Sequence, residues 1–289
     1  MAPDRRSEAG RLVLVATPIG NLGDLPPRAI EALRDAALIC CEDTRRTGRL
    51  LLHAGIAGSR LAVCNEHTEA ARVGEVLEVL GDGGNVAVVT DAGTPGISDP
   101  GERLVQAVLD AGFTVTAVPG PAAFVAALVT SGLPTSRFVF EGFLPRSGSA
   151  RTQRIHDLAA ERRTIALYES PHRIARTLVD LTAVFGGDRR VVVSRELTKL
   201  HETVVRGTLR DVRVGEPRGE YVVIVAGAPD AFEPPSDDEI RVALRAQLAV
   251  GVSTRDAVAT VAKALGVAKR VVYDLAVAES RRSPPTTLR

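Results

Sequence analysis

Five short apolar runs, at residues 12–16, 38–41, 61–64, 86–90 and 115–118, are continuous rather than alternating. A strand with one wet face alternates apolar and polar side chains, so an unbroken run marks a strand buried on both faces. Between the runs, residues 27–36, 44–53 and 69–80 read as helices; the first has Pro27 in its opening turn, and the last carries apolar residues three and four apart. Strands covered on both sides by intervening helices make a largely parallel sheet. A second set follows residues 119–123. Strands are expected at 138–141 and 164–168 with a helix between them, and Ser170-Pro171 has the composition of a cap and first turn for the next helix. Strands at 191–195, 203–209 and 221–226 follow too closely for crossover helices, so this second sheet is expected to be mixed. The expected fold class is α/β: one α/β domain at residues 1–122 with a parallel sheet, a second at 123–228 with a mixed sheet, and a linker with a small helical tail at 229–289.

A chain of 289 residues is long enough for two such cores. No apolar run reaches the roughly 18 residues of a membrane helix, and the start of the chain is basic and polar, so neither a membrane partner nor a secretory signal is expected. Cys40, Cys41 and Cys64 show neither a CxxC spacing nor an even framework, which fits a reducing cytoplasm. Residues 226–238, AGAPDAFEPPSDD, hold three prolines without periodicity and read as an interdomain linker. Beyond it, Ser253 is placed to cap a helix over 254–265, Gly266 to end it, and 268–278 restart the pattern. Two helices joined in this way are either a helix-turn-helix or a plain helical cap on the second domain. The formal charge of +1 excludes a globally basic nucleic-acid binder, yet from residue 240 onward nine basic residues face three acidic ones, and this local excess points to an anionic partner.

The segment DAGTPGISDPG, residues 91–101, follows the fourth apolar run and precedes an amphipathic helix. Three glycines and two prolines in eleven positions form neither helix nor strand, and the carboxyl ends of parallel strands are where open α/β sheets bind ligands. Similar polar segments close other strands: TPIGN at 17–21, EDTRR at 42–46, PGPAA at 119–123, YESPHR at 168–173 and RELTKLHE at 195–202. The first sheet's four are expected to converge on one cleft, and all six indicate a single site at the domain interface. The chain lacks GxxxxGK[ST], GxGxxG after the first strand, HExxH and GxSxG, which disfavours a Walker NTPase, an ordinary dinucleotide fold, a zinc peptidase and a serine hydrolase. The histidines are scattered without ligand spacing, so no metal site is expected.

Taken together, TPIGNL, EDTRRTGRLL, DAGTPGISDPG, YESPHR and RELTK resemble the tetrapyrrole methylase-like superfamily of S-adenosylmethionine-dependent methyltransferases, most of all its ribosomal RNA branch, over residues 12–227 and more weakly through the tail. The resemblance implies a fold of two α/β domains, S-adenosyl-L-methionine as cofactor, and 2′-O-methylation of a cytidine ribose in the decoding centre of 16S rRNA. It also implies that Pro18, Asp91, Gly93, Thr94 and Ile97 hold the methionine portion and the sulfonium. Ala122, Ala123, Tyr168, Leu197, Tyr221 and Val222 would border the adenosine. The family often has a small polar residue where Ala122 stands, so a side-chain hydrogen bond from that position is lost in this chain.

Methyl transfer to a hydroxyl is helped by a base. Lys199 is the first candidate, with Glu42 and Glu202 as rivals. RNA contact is expected from Arg45, Arg46 and Arg49 near one strand end and from Arg146, Arg151 and Arg154 in or beside the loop 145–150. The modest total charge points to 16S rRNA folded within the 30S subunit as the partner, and family analogy adds a homodimer. Two alternatives stay open: a small-molecule methyltransferase acting on a tetrapyrrole, and a ligand-sensing helix-turn-helix protein that binds nucleic acid.

Overall fold

A computed structural model describes residues 10–229 and 235–280, which divide into two compact units. The first gathers the residues up to Thr130 together with Arg195–Thr203; the second holds Ser131–Ser194 and the residues from Val204 on.

The first unit runs β1 Arg11–Val15, α1 Pro27–Arg34, β2 Ala36–Cys41, α2 Thr44–His53, β3 Leu61–Val63, α3 Glu69–Gly81, β4 Asn85–Val88, α4 Glu102–Asp110, β5 Thr114–Val118 and α5 Ala123–Ser131. Its sheet has the order β3-β2-β4-β1-β5 with all neighbours parallel. Strand alternation splits the apolar runs between two cores. Val13, Val15, Ile39, Cys41, Ala87 and Val89 meet Ala29 and Leu33 of α1 and Leu51 of α2. Leu12, Leu38, Cys40, Val86 and Val88 meet Val76 and Leu80 of α3 and Leu104 and Val108 of α4. Both faces of the strands are covered, as the unbroken runs require, and each fully buried leucine here is worth about 1.5–3 kcal/mol relative to exposure. Because β1 lies between β4 and β5, the chain leaves β1 toward one side and passes from β4 to β5 on the other. The carboxyl ends of these adjacent strands therefore border a crevice.

The second unit contains β6 Phe138–Phe143, α6 Gly148–Ala159, β7 Thr164–Glu169, α7 Ile174–Phe185, β8 Arg190–Arg195, β9 Thr203–Thr208 and β10 Tyr221–Val225. The order is β6-β7-β10-β8-β9; β6 and β7 run parallel, with α6 as their crossover, and β7 and β10 antiparallel, so the sheet is mixed. One expected boundary moves. Ser170-Pro171 does not open α7 but forms a turn whose Ser170 carbonyl accepts from both Arg173 and Ile174, and the helix starts at Ile174.

The tail is a three-helix cluster: α8 Asp237–Ala249, α9 Thr254–Leu265 and α10 Lys269–Ser280. Ser236 and Glu239 cap α8 reciprocally, Ser253 caps α9, and Gly266 ends α9 with a left-handed φ of 65°. Ile240, Leu244, Val258, Val261 and Val272 give the cluster a core of its own. Three of the tail's basic residues, Arg281, Arg282 and Arg289, and the middle of the expected linker, 230–234, lie outside the described residues. No helix among the described residues is long and apolar enough to cross a membrane.

Candidate functional site

Four strand-end segments of the first unit meet at one edge of its sheet. Thr17 and Gly93 exchange two main-chain hydrogen bonds of 2.8 and 3.1 Å, joining TPIGN to the glycine loop. The Thr94 hydroxyl donates to the Pro121 carbonyl at 3.1 Å, joining the loop to PGPAA. Glu42 of EDTRR accepts the Asp91 amide at 3.0 Å, and Arg46 pairs with the Asp91 carboxylate at 3.2 Å. The loop also braces itself, with Gly96 donating to the Pro100 carbonyl and Ile97 to that of Thr94. Its far end is held by Glu69, a carboxylate only 5% exposed that accepts from the Gly101 and Leu104 amides, both at 3.0 Å. Glu69 thus occupies the amino end of α4. Ligand-facing amides of the loop must then come from the Asp91–Ile97 side. Sequence reasoning missed Glu69 because nothing local marks an acid at the start of one helix as the cap of another.

Gly93 has φ +91°, in the region where side chains with a Cβ are strained. A Gly93→Val variant is expected to force the loop out of register with Thr17, at about 1–3 kcal/mol of backbone strain, and to weaken binding of a ligand held by the loop about 10-fold or more. Calorimetric titration with S-adenosylmethionine checks this; unchanged affinity would remove the loop from the binding site.

Residues Arg195–Thr203 belong to the first unit and fold tightly against TPIGN. A Cβ on Gly20 would come within 2.3 Å of Lys199 Cγ and 2.9 Å of Thr198 Oγ1, so glycine is what lets the two segments touch. Glu196 and Thr198 both adopt positive φ, 52° and 67°. Two strained non-glycine residues within three positions are a functional signal that a sequence string does not display. Lys199 Nζ bonds Glu196 at 2.8 Å, Glu202 accepts the Thr198 amide at 2.7 Å, and Leu197 is buried.

Two cavities open on this edge. One, of about 390 Å³, is walled by Ile19, Pro119, Pro121, Ala122 and Ala126 with Thr198 beside them. The other, of about 290 Å³, is lined by Pro18, Arg46, Arg49, Thr90 and Asp91 among others. Thr198 Oγ1 and Asp91 Oδ1 are buried and, among the described residues, have no hydrogen-bond partner, which is unusual for buried polar atoms and points to ligands at both. Burial pushes the carboxyls of Glu42 and Asp91 above the ordinary range; at Glu42 the hydrogen bond from the Asp91 amide opposes the rise more than the Asp91 carboxylate adds to it, and Arg46 opposes it at both. Ala123 opens α5, and Ile97 stands exposed in the loop.

In the second unit, Tyr168 and Val222 are register partners on one sheet face, with Phe140 edge-on to Tyr168 at 5.1 Å. Tyr221 corrects the expectation. Alternation sends its side chain to the opposite face, into the core with Leu167 and Val223, so only its main chain is left to face what the Tyr168 side chain faces. Arg151 is a second correction. Expected at the surface to meet RNA, its side chain is 2% exposed and donates to Asp180, the Thr177 hydroxyl and the Pro145 carbonyl. Thr177 in turn donates to the buried Glu169, which pairs with Arg173, and Arg173 holds the Leu144 carbonyl. YESPHR and Arg151 therefore fasten the root of the loop 145–150. Arg146 on that loop is exposed, whereas Arg154 is tied to Glu141. In the first unit Arg45 is spent on Asp43, whose carboxyl its hydrogen bonds hold down to about 2.

Residues 11–213 match the family model for tetrapyrrole (corrin/porphyrin) methylases, and residues 234–280 match a model described as the RsmI C-terminal HTH domain. The chain is 45% identical over 273 residues to a ribosomal RNA small subunit methyltransferase I of Synechocystis sp., a match covering 93% of this chain and 98% of that relative. A protein of the same name from Xylella fastidiosa is 51% identical over 230 residues, 78% of this chain and 84% of the relative. Among solved structures, the methyltransferase CobJ aligns with a TM-score of 0.60 over 76% of this chain and 95% of its own, at 23% identity, a likeness of fold.

Proposed function

We propose, for a chain that belongs to the tetrapyrrole methylase family and within it to the ribosomal RNA small subunit methyltransferase I group, that it transfers a methyl group from S-adenosyl-L-methionine to the 2′-oxygen of a cytidine ribose in the decoding centre of 16S rRNA. The 30S subunit in the cytoplasm is the proposed substrate. The observation that carries this is the 45% identity over 93% of the chain to a relative named for that RNA. The fold likeness to CobJ, at 23% identity, does not bring a tetrapyrrole substrate with it.

The donor set of the first unit fits the cofactor. Asp91 Oδ1 and Thr198 Oγ1 are acceptors without partners among the described residues, suited to an ammonium and to hydroxyls, and the apolar wall of Ile19, Pro119, Pro121 and Ala122 suits an adenine face. Pro18, Asp91, Gly93, Thr94 and Ile97 would hold the methionine portion, and Ala122, Ala123 and Leu197 would border the adenosine. The cofactor supplies a methyl group already activated for displacement. What remains for the chain is to align the acceptor oxygen, exclude water and take up its proton. Glu42 suits the last task better than its rivals. It is a half-buried carboxylate with its pKa raised, and one oxygen already oriented by the Asp91 amide. Lys199 is paired with Glu196, and Glu202 is an exposed cap on Thr198.

Incubation of the protein with labelled S-adenosylmethionine and 30S subunits, free 16S rRNA or a precorrin decides the matter. Label in the 30S particle, resistant to alkaline cleavage at one cytidine, is the expected result. Label in the precorrin alone, or in none of the three, would overturn the proposal.

A further inference from the structure

The cavity of about 290 Å³ at the ends of β1, β2 and β4 is distinct from the apolar-walled one beside PGPAA, and its chemistry is different. Its lining combines Arg46 and Arg49 on successive positions of one α2 face with Asp91, the buried Thr17, Thr47 and Thr90, and an apolar side of Pro18, Leu22 and Leu50. The two arginines are not equivalent. Arg46 is neutralised by Asp91 at 3.2 Å. Arg49 is exposed and, among the described residues, has no hydrogen-bond or ion-pair partner. Arg45, one position before Arg46, is outside the cavity and bound to Asp43. The cavity therefore carries one uncompensated guanidinium over a polar floor, with an apolar flank. Its volume is near the lower end of ligand pockets, about 300–1,000 Å³, which suits one unit of a single strand rather than a duplex.

We infer that this cavity seats a phosphodiester and the adjoining sugar of the RNA strand next to the methylated nucleotide, with Arg49 as the phosphate ligand. Arg46 has a different part: it positions Asp91 at the mouth of the cofactor loop. The guanidinium fork matches two phosphate oxygens, and the apolar side of Leu22 and Leu50 gives the sugar a surface to lie on. The inference rests on the proposed RNA substrate and adds to it the place where the strand enters.

The test compares wild type with Arg49→Gln, Arg49→Lys and, as a control for simple charge loss, Arg103→Gln on the exposed face of α4. Methylation of 30S subunits is followed across a salt series, and binding of a single-stranded oligoribonucleotide is followed in parallel by fluorescence anisotropy. Loss of one phosphate contact is expected to raise KM about 10-fold at fixed salt for Arg49→Gln, with kcat at saturation unchanged. The slope of log affinity against log salt should become shallower by about 0.7 to 0.9 in both assays. Arg49→Lys should restore the slope but only part of the affinity, and Arg103→Gln should leave both near wild type. An Arg49→Gln variant with wild-type KM and slope, or an equal change in Arg103→Gln, would overturn the inference. If wild type methylates no ribosomal RNA, the functional proposal falls, and the anisotropy arm still decides whether Arg49 holds a phosphate.

Discussion

Replacing Arg151 by alanine is expected to destabilise the protein by about 3–4 kcal/mol, an effect on folding rather than on RNA affinity. The side chain is 2% exposed and its guanidinium joins α6 to Asp180 and Thr177 on α7 and to the Pro145 carbonyl. Truncation leaves a void and removes a donor from Thr177, whose hydroxyl serves the 2%-exposed Glu169 at 2.6 Å. The lower part of the range for breaking a buried ion pair applies because Asp180 is 32% exposed and can be hydrated. Arg151→Lys keeps the charge but not the fork and should lose about half as much. Urea unfolding checks both variants. Unchanged stability with a raised KM for RNA would return Arg151 to the RNA-contacting arginines and leave the root of the loop 145–150 without its fastening.

The second large effect is expected at Glu42. Glu42→Gln keeps an oxygen to accept the Asp91 amide but cannot take a proton, so single-turnover methylation should fall about 10²- to 10⁴-fold with cofactor affinity little changed. The pH dependence separates catalysis from structure. Burial holds the Glu42 carboxyl above its ordinary value of 4.5, so the proton-accepting form is lost on acidification at a higher pH than for an exposed glutamate, and the wild-type rate should fall through that window. Stability runs the other way. A carboxyl whose folded pKa is raised favours the fold below the unfolded pKa and loses that contribution as pH rises through the folded pKa. Glu42→Gln should therefore be no less stable than wild type at neutral pH while being much slower. A variant that loses stability and rate together would assign Glu42 to the scaffold. Turnover near wild type would return Lys199, tested as Lys199→Ala, to first place.

The alternation of buried runs and amphipathic stretches made the first sheet legible, because burial on both faces leaves a parallel arrangement as the one that covers every strand. The bounds of Thr44–His53 are local as well, since Asp43 caps its start within the same few residues. Convergence of TPIGN, EDTRR, DAGTPG and PGPAA was legible too, since parallel strands bring their carboxyl ends to one edge. Where partners lie far along the chain, legibility ends. Whether Arg151 faces water is decided 29 residues on, at Asp180, and the role of Glu69 is decided 35 residues on, at Leu104. Tyr221 and Val222 show the same limit at shorter range. A motif places both in a strand, but only the register of β10 against β7 tells which one the core takes. The strain at Glu196 and Thr198 leaves no mark in RELTK.

The loop at residues 91–101 is tied by Glu42 at its start, by Thr17 and Pro121 in its middle and by Glu69 at its end. A segment held at so many points has few other shapes to give up when a ligand arrives. Capture by this loop is then a one-step encounter. The observed association rate should climb linearly with cofactor concentration, with no plateau and no slow second phase. Differences in tightness among variants of the loop should be written in how long the ligand stays, not in how fast it comes.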